Sequence, residues 1–275
     1  MKSDEVIAIS WRGHGCGAKL VGVDPRAVKE SQLDLYEAGS YAGLSATIAP
    51  AAAQLVAAAG PLGGDRVLDA GAGDGTVSIL VARAGGLPVA CDLSAVQLMR
   101  AKDRVADLGV VQADVERLPF ADASFDAVLS SFGAVIAPDP DRTAAELFRV
   151  CAPHGLVGLT AWPPDSLVGE MNAAVREASG FADRFPDQEL GWGVPEVVAE
   201  RLGSRALDVH IRRLSFTWDG VTRGSEGKRD YAAAYFAQHL PDLDLADMRN
   251  EILARHRDAD GRLVADYLLM TGRAR

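Results

Sequence analysis

The chain has 275 residues, 48% of them hydrophobic, and a formal net charge of −10. This composition is typical of a globular protein with a large core, and the negative charge disfavours nucleic acid as a partner. The three cysteines are widely spaced and form no CxxC motif, so neither a disulfide framework nor a metal site is predicted. Since no signal-peptide pattern or bilayer-spanning segment is visible, we expect a cytoplasmic protein that makes no membrane contact.

The first part of the chain is predicted to be mostly helical. Residues Val6–Ile9 could form a short strand, and a glycine-rich loop follows them. Two helices are then expected, Pro25–Tyr36 and Pro50–Ala59, the second with proline in its first turn and Gly60 as its C-cap.

A strand, a glycine-rich turn and a helix follow one another from Arg66 to Ala84. The strand ends on Asp69, the three residues Gly71, Gly73 and Gly75 occupy alternate positions, and apolar residues then recur at helical spacing. Glycine permits backbone angles that other residues avoid, and it lets a ligand approach the main chain. Because the helix points unpaired N–H groups at the turn, we expect an anionic or hydrogen-bond-accepting ligand there.

The same alternation of elements continues to residue 161. Short apolar strands joined by helices predict right-handed βαβ units and a parallel sheet with helices on both faces. The expected elements are strand 88–91, helix 95–108, strands 110–113 and 125–131, helix 142–151 and strand 156–161.

Three aspartates, Asp69, Asp92 and Asp114, stand at the ends of predicted strands. In an open parallel sheet, the ligand lies outside the carboxyl ends of the strands, at the switch point of the strand order. A carboxylate at Asp92 could accept both hydroxyl groups of a ribose, and one at Asp114 could accept from an exocyclic amine. Together with the glycine-rich turn, these acids indicate a ligand that contains adenosine.

The glycine-rich turn resembles motif I of the class I S-adenosylmethionine-dependent methyltransferases. It reads G-x-G-x-G, and Thr76 stands where the dinucleotide fingerprint has its third glycine. Residues 118–126 resemble the LPF-x-D-x-SFD run of the subgroup that methylates quinones and small natural products, and Glu146–Val150 resembles the helix that follows. The family usually has glycine where this chain has His154.

The resemblance implies a fold, a cofactor and a reaction. The fold is α/β: a Rossmann-like, doubly wound, mostly parallel sheet of seven strands, with helices on both faces and a helical cap over the acceptor site. The cofactor is S-adenosyl-L-methionine, which becomes S-adenosyl-L-homocysteine when its methyl group passes to O, N or C of a small-molecule acceptor such as a secondary metabolite. An amide, Gln97, stands where the family often has methionine over the adenine. The residues that the resemblance places at the cofactor are Tyr41, Asp69, Gly71, Ala72, Gly73, Thr76, Asp92, Leu93, Gln97, Asp114, Val115 and Ser131.

The pattern changes after residue 161. Helices 166–179 and 195–202 flank loop 181–194, which is rich in aromatic residues, proline and glycine; strand 206–218, helices 229–240 and 245–257, and strand 263–270 complete the chain. We expect four regions: 1–60 over the active site, 61–161 as the cofactor-binding core, 162–204 as an acceptor-side lid, and 205–275 completing the sheet and the acceptor pocket.

The acceptor pocket is expected to have aromatic walls, mostly from outside the cofactor-binding core. The residues predicted to bind the acceptor are Tyr36, Phe132, Trp162, Phe185, Trp192 and Tyr235. The candidates for a general base are His14, His154 and His239, although a surface or helical histidine is the ordinary interpretation of each.

Two alternatives stay open at this point. A nicotinamide-dependent Rossmann oxidoreductase would share the sheet, but Thr76 departs from the dinucleotide fingerprint. A protein that binds S-adenosylmethionine without transferring a methyl group would have the same cofactor half. Residues 130–133 lack the N/D-P-P-Y/F motif of adenine or glutamine nitrogen methylation and the Pro-Cys pair of cytosine methylation, which favours a small-molecule acceptor. The oligomeric state is not predicted.

Overall fold

The computed structural model describes residues 5–7, 24–38, 41–179, 191–218 and 246–275. Within these residues, eight strands form one sheet. They are β1 (Glu5–Ile7), β2 (Arg66–Ala70), β3 (Leu87–Asp92), β4 (Gly109–Gln112), β5 (Phe125–Ser131), β6 (Cys151–Ala161), β7 (Ala206–Thr217) and β8 (Val264–Ala274).

The same ranges contain eight α-helices and one short 3₁₀ helix, which spans Ala134–Ile136. The α-helices are α1 (Pro25–Ala38), α2 (Tyr41–Ala59), α3 (Thr76–Arg83), α4 (Ala95–Arg104), α5 (Pro140–Val150), α6 (Leu167–Ser179), α7 (Pro195–Gly203) and α8 (Ala246–Arg255).

The strand order across the sheet is β1-β7-β8-β6-β5-β2-β3-β4. The five strands from β4 to β6 are parallel, and β8, β7 and β1 are antiparallel to their neighbours. The predicted Rossmann-like, doubly wound sheet is therefore confirmed. Beyond the seven expected strands, the three-residue β1 is added at the edge of β7, in the segment where the sequence allowed a short strand.

Helices cover both faces of the sheet. On one face, α2, α3, α6 and α8 bury an apolar cluster that includes Leu55, Val81 and Ile252. On the other face, α5 and α7 bury a second cluster that includes Leu147 and Leu202. Helix α4 packs beside α3, against β3 and β4. Each fully buried leucine or isoleucine contributes roughly 1.5–3 kcal/mol. These two layers hold the strands, and thereby fix the loops at the carboxyl edge.

One predicted helix boundary is wrong. The sequence predicted a helix beginning at Pro50, but Pro50 lies inside α2, which runs without a break from residue 41 to residue 59. Proline lacks an N–H and removes one helical hydrogen bond. In α2, Pro50 is exposed while Ile48, Ala51 and Leu55 are buried against the sheet, so burial of that face offsets the lost bond.

The acceptor-side region is described only in part. Helix α7, predicted to belong to a lid, packs against α5 and β7 with Val198 and Leu202 buried. The predicted helix 229–240 and residues 181–190 of the aromatic loop lie outside the described residues. The helical cap therefore stays a prediction. In the part of the chain that the structure describes, no helix has both the length and the apolar character that crossing a membrane requires.

The switch point of the strand order lies between β2 and β5. The chain leaves β2 toward β3 and β4, and then returns past β2 to form β5, so the turns after β2 and β5 meet at the carboxyl edge. Their backbones touch at Gly71 and Gly133: a Cβ on Gly71 would lie 2.7 Å from the Gly133 Cα, and one on Gly133 would overlap the Gly71 carbonyl oxygen. This contact is possible because both residues lack a side chain.

The contact predicts the effect of Gly133→Ala. The Gly133 φ of −79° suits alanine, so the added methyl group acts only through the overlap with Gly71. We expect a loss of about 1–3 kcal/mol, or roughly 4–12 °C in melting temperature. The control is Gly63→Ala, where nothing lies within 4 Å of the added Cβ. Equal melting curves for the two variants would contradict the close contact.

Candidate active site

The three glycines of the turn after β2 all have a left-handed backbone. Their φ angles are 67° at Gly71, 53° at Gly73 and 82° at Gly75, a region that residues with a Cβ rarely adopt. A Cβ on Gly75 would also lie 2.7 Å from the Cβ of Ala101 in α4. The G-x-G-x-G spacing thus has a conformational cause, and it leaves three positions of the turn without side chains just before α3.

Asp69 holds the turn by accepting hydrogen bonds from α3. Its Oδ2 accepts hydrogen bonds from the Ser78 N–H (2.9 Å) and the Ser78 hydroxyl (2.7 Å) in the first turn of α3. Burial of the carboxyl raises the pKa of Asp69 to about 7, against the lowering effect of these two bonds. Asp69 was predicted to bind the cofactor; its hydrogen bonds join strand β2 to α3, so it supports the turn.

Asp92 lies at the end of β3 and contacts the turn directly. Its Oδ2 accepts from the Gly73 N–H (2.8 Å), and its Oδ1 accepts from the Ser94 N–H (2.8 Å). Burial raises the pKa of Asp92, and the backbone hydrogen bonds partly oppose that shift. The two bonds orient the carboxylate beside Gly73, at the position where the sequence placed a ribose acceptor.

Asp114 lies beyond the end of the neighbouring strand β4, next to Glu116. Its Oδ1 accepts from the Glu116 N–H (2.9 Å), and its Oδ2 lies 2.6 Å from the Lys29 ammonium of α1. The same ammonium also forms an ion pair with the Glu116 carboxylate. Sequence reasoning found Asp114 but missed Lys29, which is 85 residues away in the chain and belongs to no motif.

Asp74, within the turn, connects it to two helices. Asp74, 6% exposed, accepts hydrogen bonds from the Ser45 hydroxyl (2.7 Å) and the Thr76 hydroxyl (3.1 Å), and forms an ion pair with Arg104. These contacts tie α2, the turn and α4 together. Thr76 was predicted to bind the cofactor, and its hydroxyl is engaged in this network.

Helix α1 is hydrogen-bonded to two residues that follow Asp92 in the chain. Its Tyr36 carbonyl accepts from the Gln97 side-chain amide (2.8 Å), and its Glu37 carboxylate accepts from the Ser94 hydroxyl (2.7 Å). Burial, followed by the charge of Asp92, raises the pKa of Tyr36 to about 12. Tyr36 was predicted to bind the acceptor, but the structure places it beside the proposed cofactor residues.

The other predicted cofactor residues share the same edge of the sheet. Ala72, Leu93, Val115 and Ser131 lie at or just beyond the carboxyl ends of β2, β3, β4 and β5, respectively. Tyr41 is the first residue of α2, and its side chain lies outside the described part of the molecule.

Five aromatic side chains, which we call the aromatic group, pack together at the carboxyl edge: Phe132, Trp162, Phe216, Trp218 and Tyr267. Phe132 stacks on Trp162 with ring centroids 3.9 Å apart, and Trp162 contacts the rings of Phe216 and Trp218 at 6.2 Å. Phe132 has a φ of 60°, which is unusual for an aromatic residue, and its N–H donates to the Thr160 hydroxyl. Phe216 and Trp218 were not among the predicted acceptor residues.

Other predicted site residues lie elsewhere. Trp192 is buried in the core on the opposite face of the sheet from Phe132, with the Arg201 guanidinium over its ring. His154 lies near the start of β6, at the far end of the sheet from the glycine turn, and its φ of 64° explains the glycine of the family. It is therefore excluded as a catalytic base. His14, His239, Phe185 and Tyr235 lie outside the described residues.

The segment that resembles LPF-x-D-x-SFD is held by two residues of α5. Glu146 accepts from the Leu118 N–H (2.8 Å), and Arg149 donates to the carbonyls of Leu118 and Phe120 and pairs with Asp122. Hydrogen bonding with Arg149 lowers the pKa of Glu146. These bonds fix the chain that leads from Asp114 into β5.

The arrangement fits an adenosine-containing cofactor. The turn offers the bare backbone of three glycines at the start of a helix, and two aspartates follow it in the chain, Asp92 at the end of β3 and Asp114 just beyond β4. In addition, the Gln97 Oε1 is buried and has no hydrogen-bond partner among the described residues. A Rossmann-like sheet with these features at its switch point defines a nucleoside-binding α/β protein.

Comparison with known proteins gives the family. Residues 68–159 match the model of a family described as a methyltransferase domain. An uncharacterised protein from Mycobacterium tuberculosis is 34% identical over 255 residues, which are 87% of this chain and 92% of that protein. The chain belongs to the class I S-adenosylmethionine-dependent methyltransferases, and it is a methyltransferase enzyme. The family implies S-adenosylmethionine as the methyl donor.

Two further matches bear on the fold and on the acceptor. A demethylmenaquinone methyltransferase from Renibacterium salmoninarum is 45% identical over 101 residues, which are 37% of this chain and 43% of that protein. The crystal structure of a protein from Bacillus halodurans, proposed to be a methyltransferase, has a TM-score of 0.54 at 20% identity. The match covers 81% of this chain and 97% of the chain from Bacillus halodurans, and it supports the fold. Neither alternative, the oxidoreductase or the non-methylating binder, is favoured.

The pKa of Asp69 predicts a pH-dependent stability. In the folded protein this pKa is about 7, so between pH 4 and pH 7 the folded state keeps a proton that the unfolded chain loses. The stabilisation from this proton is complete below about pH 4 and is lost as the pH rises through about 7. When the pH rises from about 5.5 to about 8, the free energy of unfolding should fall by about 2 kcal/mol more for the wild type than for Asp69→Asn.

Urea denaturation across this pH range measures the difference. Asp103→Asn, which alters an exposed carboxylate of α4, is the matched control and should follow the wild type. Parallel pH profiles for the wild type and Asp69→Asn would show that the buried carboxyl does not bind this proton.

Proposed function

We propose that this enzyme transfers a methyl group from S-adenosylmethionine to a small, planar aromatic acceptor that lies against the aromatic group. The observation that carries the proposal is the position of Phe132. It belongs to the aromatic group and immediately precedes Gly133, whose backbone touches Gly71 of the glycine turn. The aromatic group, three of whose rings are buried while those of Phe216 and Trp218 are partly exposed, therefore begins next to the proposed cofactor turn.

The cofactor residues are assigned from their positions. The glycine turn and the start of α3 offer N–H groups to the amino-acid end, Asp92 accepts from the ribose hydroxyls, and Asp114 accepts from the adenine amine. When bound, S-adenosylmethionine would supply a methyl group on a positively charged sulfur: a nucleophilic acceptor atom would bond to the methyl carbon while the carbon–sulfur bond breaks, which would leave S-adenosylhomocysteine. The carboxylate of Asp92 is already oriented by Gly73 and Ser94, so little reorganisation accompanies binding.

Positioning accounts for most of the expected rate acceleration. Holding two reactants in a reactive geometry can lower a barrier by roughly 7–11 kcal/mol, whereas a general base contributes about 10²–10⁴-fold. In this enzyme the sheet edge fixes the cofactor residues, and the aromatic group orients the acceptor and excludes water. The proposal therefore does not require a catalytic base.

The relatives and the charge support a small aromatic acceptor. The name of the relative from Renibacterium salmoninarum identifies its acceptor as a quinone, a planar ring compound, although this chain matches 43% of that protein. The net charge of −10 disfavours a polyanionic acceptor such as DNA or RNA. Offset and edge-to-face contacts with aromatic side chains favour a flat, apolar ring.

Mass spectrometry of reaction mixtures tests the proposed function. The enzyme and S-adenosylmethionine are incubated with hydroquinones, including a short-chain reduced demethylmenaquinone, and in parallel with aliphatic amines and acids. We expect S-adenosylhomocysteine and a singly methylated product from the aromatic compounds. Methylation confined to the aliphatic compounds would overturn the aromatic acceptor, and cofactor binding without any product would favour a non-methylating binder.

The aromatic group predicts the effect of Trp218→Ala. Trp218 is only partly buried, so we expect the variant to fold. Removing the ring should raise KM for the aromatic acceptor by roughly 10-fold, because aromatic pairs contribute about 0.5–1.5 kcal/mol beyond their buried area. Its affinity for S-adenosylhomocysteine should not change. Trp192→Phe, on the other face of the sheet, is the control; if it raised KM as much as Trp218→Ala, the assignment of the acceptor surface would be wrong.

The proposed contact of Asp92 with the ribose hydroxyls predicts that Asp92→Ala loses binding affinity only for ligands that carry these hydroxyls. Asp92→Ala should weaken binding of S-adenosylhomocysteine by roughly 30- to 1000-fold, because charge-assisted hydrogen bonds contribute about 1.5–3 kcal/mol each. It should also lower the melting temperature, since its carboxylate accepts from Gly73 and Ser94. Calorimetry with the 2′,3′-dideoxy analogue separates the two effects. The analogue should bind the wild type and Asp92→Ala almost equally, and an equal loss for both ligands would remove Asp92 from the ribose site.

A further inference from the structure

We propose that Lys29 of α1 is a positioning residue for the cofactor: by bridging Asp114 and Glu116, it holds Asp114 as the acceptor for the adenine amine and closes α1 over this end of the site. The inference rests on the proposed function, in which Asp114 faces the adenine. It adds a residue from outside the cofactor-binding core, which no sequence motif identifies.

The geometry places one ammonium between two carboxylates. The Lys29 Nζ lies 2.6 Å from Asp114 Oδ2 and also contacts Glu116 Oε2. The side chains of Lys29 and Glu116 are 19% and 9% exposed, so water screens this group weakly. Burial lowers the pKa of Lys29, but the bonds to Asp114 and Glu116 raise it more, so its net shift is upward. The ammonium therefore stays charged and compensates both acids.

The two carboxylates are fixed to the protein from their other sides. Asp114 Oδ1 accepts from the Glu116 N–H (2.9 Å), and Glu116 Oε1 accepts from the Asp139 N–H (2.7 Å) at the start of α5. Without Lys29, two adjacent negative charges would face each other with no cation between them. Like charges repel each other, so one carboxylate would turn away or the two would move apart. Either change would alter the acceptor that Asp114 presents.

Helix α1 is attached to the site mainly by polar contacts. Among its described side chains, Val28 alone is fully buried. Besides the Lys29 ion pairs, the Gln32 amide donates to the Ile136 carbonyl (2.9 Å) and the Glu37 carboxylate accepts from Ser94 (2.7 Å). All of these contacts involve the carboxyl edge of the sheet. The Lys29 ion pairs thus fix the part of α1 that covers the adenine end.

While it contacts Lys29, the Asp114 carboxylate can still accept further hydrogen bonds. An ionised carboxylate has about four acceptor positions on its two oxygens, and the Glu116 N–H and the ammonium use two of them. An adenine amine can therefore bind Asp114 while Lys29 remains in place. This distinguishes a positioning role, in which removal of Lys29 weakens cofactor binding, from competition, in which its removal would strengthen it.

Calorimetry with two ligands tests the inference without relying on catalysis. The ligands are S-adenosylhomocysteine and S-inosylhomocysteine, which has an oxygen in place of the adenine amine. Lys29→Met should bind S-adenosylhomocysteine roughly 10-fold more weakly than the wild type and S-inosylhomocysteine with little change. Lys29→Arg, which keeps a cation that can bridge two carboxylates, should retain most of the affinity.

The control variant comes from the same helix. Arg26→Met removes an equal charge from α1, but Arg26 pairs with Glu30 at an exposed position, so it should bind both ligands like the wild type. Melting temperatures of all variants show whether the protein stays folded.

Three outcomes would overturn the inference. They are unchanged or tighter binding of S-adenosylhomocysteine by Lys29→Met, an equal loss for both ligands, and an equal loss in Arg26→Met. Failure of the wild type itself to bind S-adenosylhomocysteine would instead overturn the proposed function, and the two failures are therefore distinguishable.

Discussion

The backbone contact between Gly71 and Gly133 is the constraint on which the site depends. It brings the turn after β2 against the turn after β5, at the switch point where the chain, after forming β3 and β4, continues on the other side of β2. The glycine turn lies on one side of this contact, and Phe132 with the aromatic group lies on the other. The proposed cofactor residues and the aromatic group are adjacent because two residues without side chains allow their loops to touch.

Carboxylates then hold the turn in its left-handed conformation. Asp69 binds the start of α3, Asp92 accepts from Gly73, and Asp74 ties the turn to α2 and α4. So many acids in one place would repel one another without compensation. The compensation comes from backbone N–H groups, the amino terminus of α3, Arg104 and, at the adenine end, Lys29. The site is therefore pre-oriented by interactions that also stabilise the fold.

Much of the fold could be read from the sequence because it follows from local rules. Apolar periodicity indicated the core strands and helices, and the left-handed φ angles at Gly71, Gly73 and Gly75 explain the glycines that marked the turn. Asp92 and Asp114 were found because parallel strands end at one edge. The prediction that a helix begins at Pro50 was wrong, because burial of one face of α2 outweighs the preference of proline for the first turn of a helix.

The sequence by itself determined the order of elements, the glycine turn and the acids at the strand ends, since each depends on residues close together in the chain. Only the tertiary structure decided which distant residues meet. Lys29 reaches Asp114 across 85 positions, and the aromatic group combines residues of four separate segments. Trp192 and Trp162 were both predicted from the sequence to bind the acceptor, yet they pack on opposite faces of the sheet. Local patterns cannot resolve such pairings, because strand order and helix packing bring these side chains together.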